Sequence, residues 1–391
     1  MNEEQSDVTK ADLDLTIRSL SRLSEIDPAS WDFVCNPEGQ AFDPFLSWNF
    51  LQALEESNCA VEETGWAPRH LIAEDTSGQL VGALPLYIKT HSQGEYVFDH
   101  AWADAFERAG GEYFPKLLTA IPFTPVSGRR VCAANPAVRA ALISGVIQTA
   151  TQWNLSSWHI NFPDKETWET LGQQGLLQRM DRQFVWTNQN YKTYDDFLTD
   201  LSSRKRKALK KERREAQQGL VIQHLSGKEL RPEHWDIFFQ CYQQTSSRKW
   251  GRAYLNRAFF DLIHQRMSDQ VLLVLAKSDG RYVAAALNFI GSDALYGRYW
   301  GQLEERPHLH FELCYHQSIE AAISLGLERV EAGAQGEHKL ARGYRPHPVY
   351  SAHWISHEGL KNAVGEYLDH ERAAIQHDIA LLESESPFKT L

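Results

Sequence analysis

The segment Leu327–Tyr344, LERVEAGAQGEHKLARGY, gathers the residues best suited to chemistry. A short strand-like run, Arg329–Glu331, leads into small residues and then Glu337, His338, Lys339, Arg342 and Tyr344. Charge set behind a buried strand is costly unless it is paired or used. Loops at strand ends are also where sites are built. Here carboxylates and an imidazole can take a proton, and a lysine and an arginine can hold negative charge. The pattern predicts an active-site loop. The competing reading is a solvated, salt-bridged loop.

Four other constellations stand out. The run SRKRKALKKERR (Ser203–Arg214) predicts a helix with Arg206, Lys210 and Arg213 on one face and Lys207, Lys211 and Arg214 on the next. Arg206, Lys207, Lys210 and Lys211 then form a patch for a polyanion, either a phosphate-rich donor such as tRNA or an anionic membrane surface. No aromatic residue interleaves the run, so base stacking is not indicated. In LYGRYWG (Leu295–Gly301), strand alternation puts Arg298 and Trp300 on one face, a contact for an anion or carboxylate. His308, His310 and His316 with Glu312 give only a weak metal signal, because no HExxH or Cys/His ladder accompanies them. No metal is expected. His310 and Glu312 read better as groups at a helix N-terminus near a donor site. The strip GEYVFDHAWADAFE carries Tyr96, Asp99 and Trp102 and suits a cationic acceptor such as an amine.

The elements that must position these groups occur twice. LIAEDTSGQLVGALPLYI (Leu71–Ile88) matches LVLAKSDGRYVAAALNFI (Leu273–Ile290), with Gly78 opposite Gly280 and Ala83 opposite Ala285. A helix (137–151) and a strand (155–162) parallel a helix (311–324) and a strand (327–334). The spacing differs by about thirty residues, which one insertion at 100–135 accounts for. The expected unit is a strand hairpin, a strand, a helix and a strand, so the fold class is mixed α/β. Between the copies lies the basic helical stretch 194–218, ended by Gly219. Ser47 is the expected N-cap of a helix over WNFLQALEES. A long helix over 359–382 closes the chain, and the residues before and after this pattern read as loose ends.

Composition narrows the function classes. A chain of 391 residues is long enough for two domains, and 42% hydrophobic with 23% charged residues is globular. A net charge of −11 argues against a general nucleic-acid binder, so polyanion contact must be local. Five scattered cysteines without a CxxC pair suggest free thiols in a reducing compartment. The start, MNEEQSDVTKADLD, lacks a signal-peptide pattern, and no apolar run reaches membrane-spanning length. A cytoplasmic location is expected.

DPFLSWNFLQALEES, GEYVFDHAWADAFERAG, the basic run, LYGRYWG and HFELCYHQSIEAAISLGLERVEAGAQGEHKLARGY together resemble the FemAB-like predicted N-acyltransferases of peptidoglycan-related type. The resemblance implies two tandem GNAT-like (acyl-CoA N-acyltransferase-like) domains, 11–190 holding the acceptor and 191–385 carrying the chemistry. It implies direct transfer of an acyl or aminoacyl group to an amine, with acyl-CoA or aminoacyl-tRNA as donor and a cell-wall precursor as a possible acceptor. In that chemistry the amine loses a proton as it attacks and the oxyanion needs a cation or N–H donors. Glu331, Glu337 and His338 are then the candidate bases. Lys339 and Arg342 are candidates for the oxyanion or a donor phosphate, and Tyr344 for protonating the leaving group. One departure is plain. GNAT enzymes hold the CoA pyrophosphate on a glycine-rich turn, whereas ERPHLHFE (Glu305–Glu312) has no glycine, and Pro307 removes a donor. This departure argues against acetyl-CoA and leaves the donor open. Acetyl-CoA-dependent acetyl transfer and a non-catalytic protein that binds RNA or membrane are the two alternatives.

Overall fold

The computed structural model describes residues 14–250, 253–334 and 336–389. The expectations for the first ten residues and for Gln335 lie outside them. The first half runs β1 (Thr16–Leu20), α1 (Pro28–Cys35), α2 (Trp48–Glu56), β2 (Trp66–Pro68), β3 (His70–Glu74), β4 (Leu80–Leu84), β5 (Tyr87–Lys89), α3 (His100–Arg108), β6 (Lys116–Thr119), β7 (Cys132–Ala133), α4 (Pro136–Gln152), β8 (Ser157–Asn161), α5 (Lys165–Gln173) and β9 (Leu177–Thr187). Two helices follow, α6 (Tyr194–Asp200) and α7 (Ser203–Ala216). The second half runs β10 (Val221–Leu225), α8 (Pro232–Trp250), α9 (Arg257–Met267), β11 (Val271–Ser278), β12 (Arg281–Ile290), β13 (Ala294–Gln302), α10 (Leu309–Phe311), α11 (Gln317–Leu325), β14 (Arg329–Glu331), β15 (Arg345–Ile355) and α12 (Glu358–Ser384). A π-helical turn, Glu312–His316, joins α10 to α11.

The halves share one order: strand, two helices, hairpin, strand, helix, strand, connection, strand. This is the two-domain GNAT-like fold. The repeated hairpins are antiparallel in both halves, with Leu71 opposite Leu84 and Leu273 opposite Leu287. Local sequence explains the turns. Asp75 accepts from the backbone of Ser77 and Gln79, and Gly78 (φ +80°) and Gly280 (φ +78°) take the left-handed conformation that glycine permits. Ser47 caps α2 as expected, accepting from Phe50 N, and Asn135 caps α4 ahead of Pro136. In the first half the hairpin changes sheet between Pro68 and Pro85, which cannot donate to a ladder.

The two halves interlock. Eleven strands form one sheet in the order β10-β11-β12-β13-β14-β9-β15-β8-β6-β5-β2, and β1-β3-β4-β7 form a second. Strand β9 of the first half lies between β14 and β15, while β15 of the second half pairs with β8. Each half thus supplies a strand to the other. The largest core is shared too: Trp31, Phe45 and Phe50 pack with Trp235, Phe260 and Phe289.

Two expectations are corrected. The segment 100–135 is not purely an insertion, because it contains β6. That strand runs parallel to β8 as β13 does to β14. Its four residues, Lys116–Thr119, made too short an apolar run to register as a strand. The C-terminal residues are also not loose. Pro387 O accepts from Ser202 N, Lys389 N donates to Asp200 O, and Phe388 lies 6.3 Å from the ring of Phe197.

Candidate active site

Strands β13 and β14 are hydrogen-bonded only over Ala294–Tyr296 and Arg329–Glu331, and then part. A cavity of about 410 Å³ opens where they separate. Its walls come from β13 (Arg298, Tyr299, Trp300), α8 (Tyr242, Thr245, Ser246), the backbone beyond β14 (Ala332–Ala334), and His338 and Lys339. Tyr96 and Pro125 of the first half complete it, so the cavity needs both halves.

Strand β13 does not alternate as its sequence suggests. Leu287 opposes Tyr299 and Asn288 opposes Gly297, which leaves Arg298 as the extra residue of a β-bulge. The bulge lets Arg298 Nη2 and Tyr299 Oη both donate to the carbonyl of Phe123, at 2.6 and 3.0 Å. Phe123 sits at φ +59°, donates its N–H to Gly94 O, and stacks on Tyr254. Trp300 turns the other way, onto His310 at 4.6 Å. Burial pushes the phenols of Tyr96, Tyr299 and Tyr315 up, and that of Tyr242 up to about 12, so all four are donors at neutral pH.

Lys339 lies in a 3-10 turn, Glu337–Arg342, bounded by Gly336 (φ +106°) and Gly343 (φ +87°). Its residue is 1% exposed, its Nζ donates to Gly333 O at 2.6 Å, and burial lowers its pKa to about 8. His338 is exposed, and its Nε2 lies 2.9 Å from Tyr315 Oη.

Of the loop residues singled out by sequence, only these two line the cavity. Arg342 is committed elsewhere: Nε and Nη2 bind Glu212 at 2.9 and 2.6 Å, Nη1 binds His338 O, and the guanidinium lies 3.5 Å over Phe311. Glu337 points outward, 3.6 Å from Arg182. Tyr344 is fully buried behind Tyr315, and its hydroxyl has no hydrogen-bond partner among the described residues. Glu331 follows a core-facing Val330 and so faces a separate cavity of about 650 Å³ with Gln183 and His347. It pairs there with Arg329, and burial raises its carboxyl. Glu312 is not beside the cavity. It is fully buried and held by Arg213, Gln217 and Gln317. His316 hydrogen-bonds to Tyr194 and Glu212 while His310 packs on Trp300, so these histidines serve different contacts.

The acidic-aromatic strip is also redistributed. Tyr96 reaches the cavity, but Asp99 and Trp102 are buried in the first half. Lys116 Nζ donates to Asp99, to Glu95 at 2.8 Å and to Ser92 at 2.8 Å, which pins the loop that carries Tyr96. Behind it, Tyr113 binds Asp99, and the Nδ1 atoms of His159 and His353 share a hydrogen bond of 2.7 Å. Asp99 therefore neutralises a lysine and is not presented to an acceptor. Trp102 packs edge-on to His353.

Helix α7 divides its charge by face. Lys207, Lys210 and Lys211 are exposed and Arg206 half-buried, although Lys210 pairs with Asp195. Arg213 does not share that outer face. It turns inward with Glu212, onto Glu312 and Glu320. Neither Glu212 nor Tyr242 was singled out from the sequence. Each is assigned by contacts more than fifty residues away in sequence, for which the local pattern carries no signal.

A family model described as peptidoglycan biosynthesis/recognition, FemAB-like, matches residues 22–390. The chain belongs to the FemAB-like family. Solved structures agree with the fold of this FemAB-like chain. FemX is 13% identical, with a TM-score of 0.54 over 87% of this chain and 98% of FemX. The C-terminal domain of a putative lysylphosphatidylglycerol synthetase from Agrobacterium fabrum is 11% identical, with a TM-score of 0.54 over 89% and 96% of the two chains. L-PGS from Bacillus licheniformis is 10% identical, with a TM-score of 0.50 over 85% and 98%. None of the curated proteins matches the FemAB-like chain in sequence. Among the described residues no helix is long and apolar enough to cross a membrane, and none of the five cysteines is in a disulfide.

Proposed function

We propose that the protein transfers an acyl or aminoacyl group from an activated donor directly to an amine, with the chemistry in the cavity between β13 and β14. The observation that carries this reading is Lys339, a buried cation at the mouth of parted strands, with side chains of both halves around it. A cation fixed before the reaction stabilises an oxyanion without reorganisation. His338 is the titratable group beside it that can accept the proton of the attacking amine, and Tyr315, hydrogen-bonded to His338, can relay it. No Asp or Glu lines the cavity among the described residues, which favours a neutral amine over its ammonium form there. Arg342 acts through its grip on the turn and does not touch the reacting atoms.

The family supports a peptidoglycan-related role, with a cell-wall precursor as the amine acceptor. The donor is an acyl-CoA or an aminoacyl-tRNA. The exposed lysines of α7 favour the polyanionic donor. Division of labour follows the two halves, with residues 11–190 holding the acceptor and 191–385 the reacting groups.

The test is transfer of a radiolabelled acyl group from charged tRNA and from acyl-CoA to a panel of amines, wild type against Lys339→Ala. Loss of one preorganised oxyanion contact costs about 100- to 1000-fold in rate. Normal turnover by Lys339→Ala at an unchanged melting temperature would move the active site elsewhere.

A further inference from the structure

The cavity holds an amine of its own. Lys339 Nζ lines it, its one hydrogen-bond partner among the described residues is the carbonyl of Gly333, and no carboxylate ion-pairs with it there. An amine held by a carbonyl keeps its lone pair whenever it is deprotonated, whereas a carboxylate would keep it protonated. The groups facing it are Arg298, His310 and His338 along the cavity wall and Cys314 behind; Cys314 favours the charged amine, but burial outweighs it. The turn that carries it is pinned at one end by Arg342 and Glu212, so the amine is aimed and not free to swing into solvent.

We propose that Lys339 is itself an acylation site, slowly taking the acyl group of an activated donor in the cavity and so switching the enzyme off. This rests on the reading of the cavity as the place where the donor's carbonyl sits. The nitrogen lone pair attacks the acyl carbon and a C–N bond forms. The bond from the acyl carbon to the leaving group breaks, the leaving group departs with the electron pair, and the extra proton on nitrogen passes to water. The product is a neutral Nε-acyl-lysine, which can neither stabilise an oxyanion as a cation nor pass the acyl group on, since an amide is a poor donor. The charged form of Lys339 serves the reaction and the free base is the form that is consumed.

Burial lowers the Lys339 pKa to about 8. The free base is then about one-fifth of the population at pH 7.4, against about one-thousandth for an ordinary lysine. Nucleophilicity falls with basicity, with a slope of about 0.4–0.5 known for thiols. Some tenfold advantage over exposed lysines remains.

The experiment uses acetyl phosphate, a small activated acyl compound, on the full-length native protein at pH 7 to 9. Peptide mass spectrometry then follows the rate at each lysine. The expected result is acetylation of Lys339 about tenfold or more faster than of Lys207 or Lys211 on α7, with a rate that rises through pH 8 and levels off. The preference should vanish in urea. Lys339→Arg identifies the peptide. A Lys339 that reacts no faster than the α7 lysines, or equally in urea, overturns the proposal. If Lys339 is acetylated selectively while Lys339→Ala still turns over normally, acylation at the site stands, but both the switching effect and the proposed catalytic role fall. The reverse pair of results does the opposite.

Discussion

The contact that holds the reactive turn can be tested by replacing Glu212 with Gln. Glu212 sits on α7, takes two hydrogen bonds from Arg342 and one from His316 at 2.8 Å, and through Arg342 reaches the backbone of His338. Burial raises its carboxyl, but the hydrogen bonds from His316 and Arg342 outweigh that and hold its pKa at about 2, below the ordinary 4.5. Lowering from 4.5 to about 2 corresponds to an upper limit of about 3.4 kcal/mol. Neighbouring His308 is 38% exposed, so water screens the site. The expected cost of Glu212→Gln at pH 7 is therefore about 1–2 kcal/mol. The sign with pH is fixed. The folded pKa is depressed, so this stability is complete above about pH 4.5 and is lost as pH falls toward about 2. Urea unfolding followed by tryptophan fluorescence at pH 7, 5 and 3.5 should show a deficit that shrinks at the lowest pH. Glu212→Gln and Arg342→Met should also be non-additive by at least about 0.5 kcal/mol. A deficit as large at pH 3.5 as at pH 7, together with additivity, would refute the clamp.

The His159–His353 pair makes a second prediction. Burial lowers His159 to about 3 and His353 well below the ordinary 6.5, in the field of Lys116, Arg179 and Asp99. The unfolded chain then binds more protons below pH 6.5, so stability should fall between about pH 6.5 and 4. His353→Gln should flatten that slope in urea midpoints against pH, and an unchanged slope would remove the pair as the cause. Reversing Arg206, Lys207, Lys210 and Lys211 to Glu should abolish binding of single-stranded RNA without unfolding, because the lysines are exposed. For four phosphate contacts the wild-type log–log salt slope should be roughly −3. Equal binding by both proteins would make α7 a solvated face.

The two-fold repetition of the chain was readable from sequence, because hairpins with glycine turns and alternating strands are local signals, as at Gly78 and Gly280. So was the loop that carries His338 and Lys339, because charge after a short strand is a local anomaly. The long closing helix and the Ser47 cap are local in the same sense. Which loop residues face the cavity was not readable. Glu331 and Val330 differ by one position on a strand and so face opposite sides of the sheet. A bulge at Arg298 reset the alternation that the sequence of β13 implies.

The remainder depends on residues far apart in the chain. Glu212 meets Arg342 across 130 positions, Arg298 meets Phe123 across 175, and β9 enters the other half's sheet between β14 and β15. Sequence by itself determined which side chains have the chemistry and which elements repeat, because propensity, capping and periodicity act over a few residues. Only the tertiary structure decided which charges are spent on each other and which is left at a cavity. Pairing of buried charge is settled by where the backbone brings side chains together, and that is a property of the whole fold.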